Sequence, residues 1–317
     1  LDFVYAKAEL GRDVKVSERA RERANKTMRF AFHFVASAST ITVATAIINI
    51  AFASGAVLDI ADAADITTTN NSKKDYNAIE GEGVWDQSSG KASWRNRSNP
   101  SQPFFHMQSH GQSHEGSLHF NEGTFLNTKT DTDPATVDLA DYHPDTPLFR
   151  YTHAYYLDRM QAIDQIVGET VQKLKDDGVL EDTFIFYFGD HGGVLPKSKG
   201  YLTDAGVHVP LVVRVPKNFQ ELAPTVNGSR LDGFVSFVDF GPTVLNLAGV
   251  PVPEQMDGVP FLGTGITDTE INRRNEAFSY ADRFDEKYDS VRALHVGDYQ
   301  YIRSYQPYLP DGLNNNY

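Results

Sequence analysis

The 317-residue chain carries 42 acidic against 29 basic side chains, a net charge of −13, with 40% hydrophobic and 22% charged residues. Those proportions describe an ordinary globular protein, and the acidic balance argues against general affinity for nucleic acid. The absence of cysteine excludes disulfides, thiolate metal sites and a cysteine nucleophile.

The chain starts at Leu1 rather than Met, as expected of a fragment or a processed form. A charge-dense stretch, "DVKVSERARERANKTMR", precedes residues 30–58, which hold no Asp, Glu, Lys or Arg. Three readings compete for that apolar run: a signal-peptide-like segment, a buried helix or strand pair, and a membrane span, for which about 20 uncharged residues suffice. The run is rich in Ala, Ser and Thr rather than Leu, which makes a span the least favoured of the three. Residues 1–66 therefore stay unassigned.

From Thr67 the texture becomes that of a polar, loop-rich enzyme surface. "PFFHMQ", residues 103–108, predicts a short buried strand, and the loop around it supplies His106, His110, His114 and His119. Tyr156, Met160, Ile163, Ile166, Val167, Val171 and Leu174 recur at helical spacing, and Gly178 stops that helix. "TFIFYFGD" and "VPLVVRVP" read as continuous apolar strands of a sheet covered on both faces. "FVSFVDFGPTVLNLAG" predicts a short strand, then a helix opened by Pro242 and closed by Gly249. "YDSVRALHVGDYQYIRSY" predicts a β-hairpin turning at Gly297 and Asp298. Alternating strands and helices imply an α/β sandwich with a largely parallel sheet. The expected division is an α/β domain over residues 67–270 and the start of a small antiparallel C-terminal subdomain over 271–317.

In open α/β sheets, functional groups gather beyond the carboxyl ends of strands. Asp190 and His191 follow the strand ending at Phe188, and Gly192 and Gly193 let the chain turn tightly. A carboxylate beside an imidazole is a plausible metal-ligand pair, and Asp donors suit Ca²⁺ or Mg²⁺. Taken alone, "DHGG" is more readily a turn capped by Asp190 with His191 a solvated loop residue. Lys197 and Lys199 shift the balance, because cations beside a metal suit a tetrahedral anion such as sulfate or phosphate. The histidines around residue 110 are candidates for a general acid or a metal ligand, and most are expected to be plain surface residues.

Four stretches together resemble the sulfatase family of the alkaline phosphatase superfamily. They are "FGDHGGVLPKSKGYLTDAGVHVPLVVRVP", "FVDFGPTVLNLAGVPVPEQMDGVPFLG", "QPFFHMQSHGQSHEGSLHF" and "TTNNSKKDYN". The resemblance implies sulfuric ester hydrolysis by a formylglycine-type nucleophile, with a divalent ion, usually Ca²⁺, polarising the sulfate. It assigns Asp190 and His191 as metal ligands, Lys199 as the sulfate-binding lysine and His114 as the acid that protonates the leaving group. Lys73 would contact the nucleophile or the sulfate, and Lys197 occupies a less demanding position. A sulfate ester, aryl or glycan, is the implied partner, and a periplasmic or secreted location follows by analogy.

Two features of the family pattern are missing from the sequence. No Cys/Ser-x-Pro-x-Arg motif occurs ahead of Lys73, and Ser98-Asn99-Pro100-Ser101-Gln102 lacks the Arg and lies on the wrong side. Asp59, Asp62 and Asp65 are not the adjacent pair of the family's first metal segment. The expectation is thus half a site and little turnover by this chain alone. The alternatives are a phosphodiesterase or phosphonate hydrolase of the same superfamily, and a non-catalytic module that binds sulfated glycans.

Overall fold

A computed structural model describes residues 50–51, 67–70, 85–249, 251–254, 256–284 and 287–309. Lys73 and all but two residues of the 30–58 run lie outside these, as do Asp59, Asp62 and Asp65. Among the described residues no helix is long and apolar enough to cross a membrane.

The principal elements are β1 (Ile50–Ala51), β2 (Thr67–Asn70), β3 (Gln87–Ser88), β4 (Phe104–Met107), helix α1 (Pro147–Asp176), β5 (Thr183–Phe188), β6 (Leu211–Arg214), helix α2 (Phe240–Leu247), β7 (Glu276–Phe284), β8 (Lys287–Val296) and β9 (Tyr299–Ser304). They fall into two compact units. The described parts of Ile50–His106 and of Val215–Ala277 make one; Met107–Arg214 and the described part of Phe278–Tyr317 make the other.

In the first unit the strand order is β3-β2-β4-β1. β2 and β3 run parallel, whereas β1 and β4 run antiparallel. Trp94 stacks on Phe104 at 6.0 Å and meets the His106 ring edge-on at 5.2 Å. The predicted short strand before α2 is instead a 3-10 turn, Phe237–Asp239. The reason is Asp239, whose carboxylate accepts the Ser236 N–H at 2.9 Å and the Val259 N–H at 2.8 Å. A Ser–Asp capping box favours a helical start over an extended one. Arg274 lies 3.7 Å from the same carboxylate. Gly249, at φ +69°, closes the segment as expected.

In the second unit, α1 starts earlier than its apolar spacing suggested. Thr146 caps it by accepting the Phe149 N–H, and Pro147 takes the first turn, where its missing N–H costs nothing. All seven residues of the predicted stripe are buried or half-buried, and Gly178 ends the helix at φ +71°. β5 is buried at every position but Tyr187, as its unbroken apolar run requires. Its partner β6 is antiparallel, with Phe186 opposite Val213. The described pairings of this unit therefore do not make the parallel sheet expected from strand–helix alternation. Residues 189–210, which join β5 to β6, close on themselves, with Gly189 N–H meeting Pro210 O, so the chain returns alongside β5 instead of crossing over to a parallel neighbour. The C-terminal hairpin is as predicted: Val296 faces Tyr299 across Gly297 and Asp298, with Gly297 at φ +53°.

Replacing Asp239 with Ala strands two backbone donors and removes the carboxylate beside the Arg274 guanidinium, which keeps its bonds to Val259 O and Pro260 O. Urea unfolding should show a loss of roughly 2–4 kcal/mol, with Asp239→Asn intermediate.

Candidate active site

The candidate site grows from the end of β5. Gly189 donates to Pro210 O at 3.2 Å, and the chain then folds sharply back, Gly192 donating to Gly206 O at 2.8 Å. The approach is too close for side chains. A Cβ on Gly192 would lie 2.0 Å from Ala205 O, and one on Gly193 would lie 2.4 Å from the Tyr156 hydroxyl. The paired glycines are thus a packing requirement of this turn. Lys199 N–H donates to Gly193 O at 2.9 Å, which returns the lysine loop to the turn that holds Asp190 and His191. Gln300, on β9, anchors the far end of the loop by donating to Leu202 O at 2.7 Å.

Asp190 and His191 are mostly covered, with side chains 15% and 19% exposed. His191 Nδ1 lies 2.7 Å from Gly192 O. A carbonyl oxygen only accepts, so Nδ1 carries the proton and Nε2 keeps its lone pair. That Nε2 is buried and makes no hydrogen bond. It sits 3.7 Å from Asp190 Oδ1, too far for a hydrogen bond and near enough for both atoms to reach one cation. A backbone-oriented imidazole with a bare nitrogen is the usual arrangement of a histidine ligand. The carboxylate suits Ca²⁺ or Mg²⁺; imidazole is a less usual ligand for so hard an ion. The pair fits part of a divalent site. Among the described residues no group of three or more acidic or imidazole side chains is placed to complete one.

Lys199 is 7% exposed, an unusual state for a lysine. Its ammonium donates to Glu115 Oε2 at 2.8 Å. Next to Glu115, His114 caps a 3-10 turn, its Nδ1 accepting the Gly116 N–H at 3.0 Å. Nδ1 is therefore the acceptor, and the proton of the neutral ring sits on Nε2. That nitrogen is buried and has no hydrogen-bond partner. Burial pushes the His114 pKa down to about 4; Lys199 and His191 nearby push the same way, with Glu115 opposing. The site thus brings together a buried ammonium, a buried N–H donor and an imidazole that resists further positive charge.

The other sequence candidates lie elsewhere. His106 is a core residue whose Nδ1 is 2.7 Å from the Thr69 hydroxyl. His110 is buried, which lowers its pKa, with Lys173 adding to the effect. His119 is exposed. Lys197 is exposed too, at φ +64°, with its ammonium 5.5 Å from the Tyr142 ring. Ser98 to Gln102 form a surface turn, with Gln102 N–H donating to Asn99 O. The sequence placed Tyr156 only in a helical stripe and gave Glu115 no role; the only clue to Glu115 was its place beside His114.

A histidine that titrates near 4 in the folded state and near 6.5 when unfolded binds its proton more readily unfolded. Its contribution to stability is then constant above pH 6.5 and falls as pH drops from 6.5 towards 4. Melting temperature against pH should show that acid loss, and His114→Gln should remove its share.

Residues 52–250 match the sulfatase family. Among curated proteins, the chain is 33% identical over 277 residues to an ulvan-active sulfatase of Formosa agariphila, covering 76% of this chain and 45% of that protein. It is 32% identical over 121 residues to the human N-sulphoglucosamine sulphohydrolase, covering 38% of this chain and 23% of that one. The chain thus spans less than half the length of either relative. Among solved structures, a protein in complex with its substrate D-glucosamine-2-N,6-O-disulfate matches with a TM-score of 0.52 at 15% identity, covering 77% of this chain and 72% of that one. The fold is shared with that protein, and by its family match the chain belongs to the sulfatases.

Proposed function

We propose that this chain forms the histidine-and-lysine side of a sulfuric ester hydrolase site. One observation carries the proposal: the buried Lys199 ammonium and the buried Nε2 of half-buried His114 present N–H donors to the same site, and burial, with the Lys199 charge adding to it, holds the His114 pKa low. Such a place rewards a bound anion. Lys199 would hold a sulfate oxygen and the leaving oxygen. The His114 Nε2–H would donate to the leaving group, as a general acid when the bound anion has raised its pKa. Asp190 and His191 would hold a divalent ion, Ca²⁺ by family analogy or Mg²⁺, whose charge would polarise the sulfate when bound. Lys73 is assigned to the nucleophile side on its motif alone.

The substrate class in this proposal is a sulfate ester, with sulfated glycans favoured over simple aryl sulfates. The named relatives support that preference: one acts on ulvan, another on a sulphoglucosamine, by their names. The finer fold, an alkaline-phosphatase-like sandwich on a parallel sheet, belongs to the same proposal, as does a periplasmic or secreted location.

The 317 residues contain no Cys/Ser-x-Pro-x-Arg motif from which a formylglycine could arise. The purified chain with added Ca²⁺ should therefore bind 4-nitrophenyl sulfate in calorimetry and release no nitrophenol. Binding should exceed that of the phosphate analogue, and Lys199→Met should weaken it roughly tenfold or more. Robust turnover, or binding indifferent to Lys199, would overturn the proposal.

A further inference from the structure

Glu115 occupies a place that the reaction scheme above leaves unexplained. It is the described carboxylate in direct contact with Lys199, 84 residues away in sequence, and the contact is a full ion pair at 2.8 Å. The lysine end is 6% exposed and the glutamate end 24% exposed. The ammonium is thus sealed in, while its counter-ion reaches the surface. Glu115 sits at the first position of the 3-10 turn that His114 caps, so the peptide that fixes the histidine also fixes the carboxylate.

A sulfate that approaches Lys199 meets a negative group already hydrogen-bonded to it. Two anions on one ammonium repel, and in a poorly hydrated site that repulsion is substantial. We propose that Glu115 is an exchangeable counter-ion: it holds Lys199 buried and oriented in the empty site, and the sulfate group of the substrate displaces it. No bond is made or broken in this exchange; the lysine trades one oxygen acceptor for another and keeps its proton. The half-exposed side of the pair supports the direction of movement, because the displaced carboxylate has water to swing into, whereas the lysine does not. Glu115 is a positioning residue here, and its role rests on Lys199 being the sulfate ligand.

The two possible roles of Glu115 give opposite signs. As an exchangeable counter-ion it competes with sulfate, so Glu115→Gln should bind inorganic sulfate about tenfold more tightly than the unaltered chain at matched ionic strength. As a purely structural strut it would orient the lysine and nothing more, so the same change would weaken binding or leave it as it was. Calorimetric titration of the full 317-residue chain with sodium sulfate separates them, with circular dichroism confirming the fold. Glu115→Asp, whose shorter arm reaches less well, should tighten binding by a smaller factor and serves if the Gln variant misfolds. Equal or weaker sulfate binding by a folded Gln or Asp variant overturns the exchange. Lys199→Met in parallel tests the underlying assignment: retained affinity there sinks the lysine's role and the exchange with it. Lost affinity there, with tighter binding by Glu115→Gln, supports both.

Discussion

A charged lysine is expensive to bury, and that cost organises the second unit. Lys199 is taken out of water at the tip of a loop, and desolvating an unpaired ammonium would destabilise the fold by several kcal/mol. Glu115 offsets part of the penalty at 2.8 Å. Much else at the site follows from meeting that requirement. The loop must return to the end of β5, so Lys199 N–H reaches Gly193 O. The return brings Gly192 against the Ala205 backbone and Gly193 against the Tyr156 hydroxyl, so neither has room for a Cβ. The carboxylate must arrive from a distant segment, which places His114 next to the same ammonium.

The consequence for His114 is electrostatic rather than steric. A neutral imidazole whose Nδ1 is occupied by a backbone N–H has a single proton to offer, on Nε2. Burial and the neighbouring cation keep it neutral and donating. An arriving anion changes that balance, since a nearby negative charge favours the imidazolium. In the proposed reaction, the acid that protonates the leaving oxygen would thus be created by the substrate and be largely absent from the empty site.

Much of this was legible in the sequence, for identifiable reasons. The hairpin at Gly297 was readable because a two-residue turn between alternating strands leaves little choice of register. The stripe on α1 was readable because burial follows the 3.6-residue period, although the Thr146–Pro147 start was missed despite its capping signal and the buried Phe149, Tyr151 and Ala154 that follow it. Asp190 and His191 stood out because charged groups directly after an apolar strand are conspicuous, and Lys199 because it is a cation that follows them in the same loop. Two features were illegible. Strand direction is absent from a strand's own composition, so the antiparallel pairing of β5 with β6 could not be read from two apolar runs. The short strand expected before α2 failed because Asp239 takes two backbone donors from residues 3 and 20 positions away, and only one of these is local. Glu115 escaped notice because its partner lies 84 residues further on.

The Gln300 contact carries a consequence in time. The loop that carries Lys199 is tied at Leu202 by a side chain 98 positions further along the chain. Chains emerge from the ribosome at about 5–20 residues per second, and contacts of high sequence separation close late. For several seconds of synthesis, β5 and the lysine loop therefore exist without that tether. During that interval a buried cation has to be retained by Glu115, which is already made. The order of synthesis thus supplies the counter-ion before the lysine and the tether last, so the ammonium never has to be buried alone.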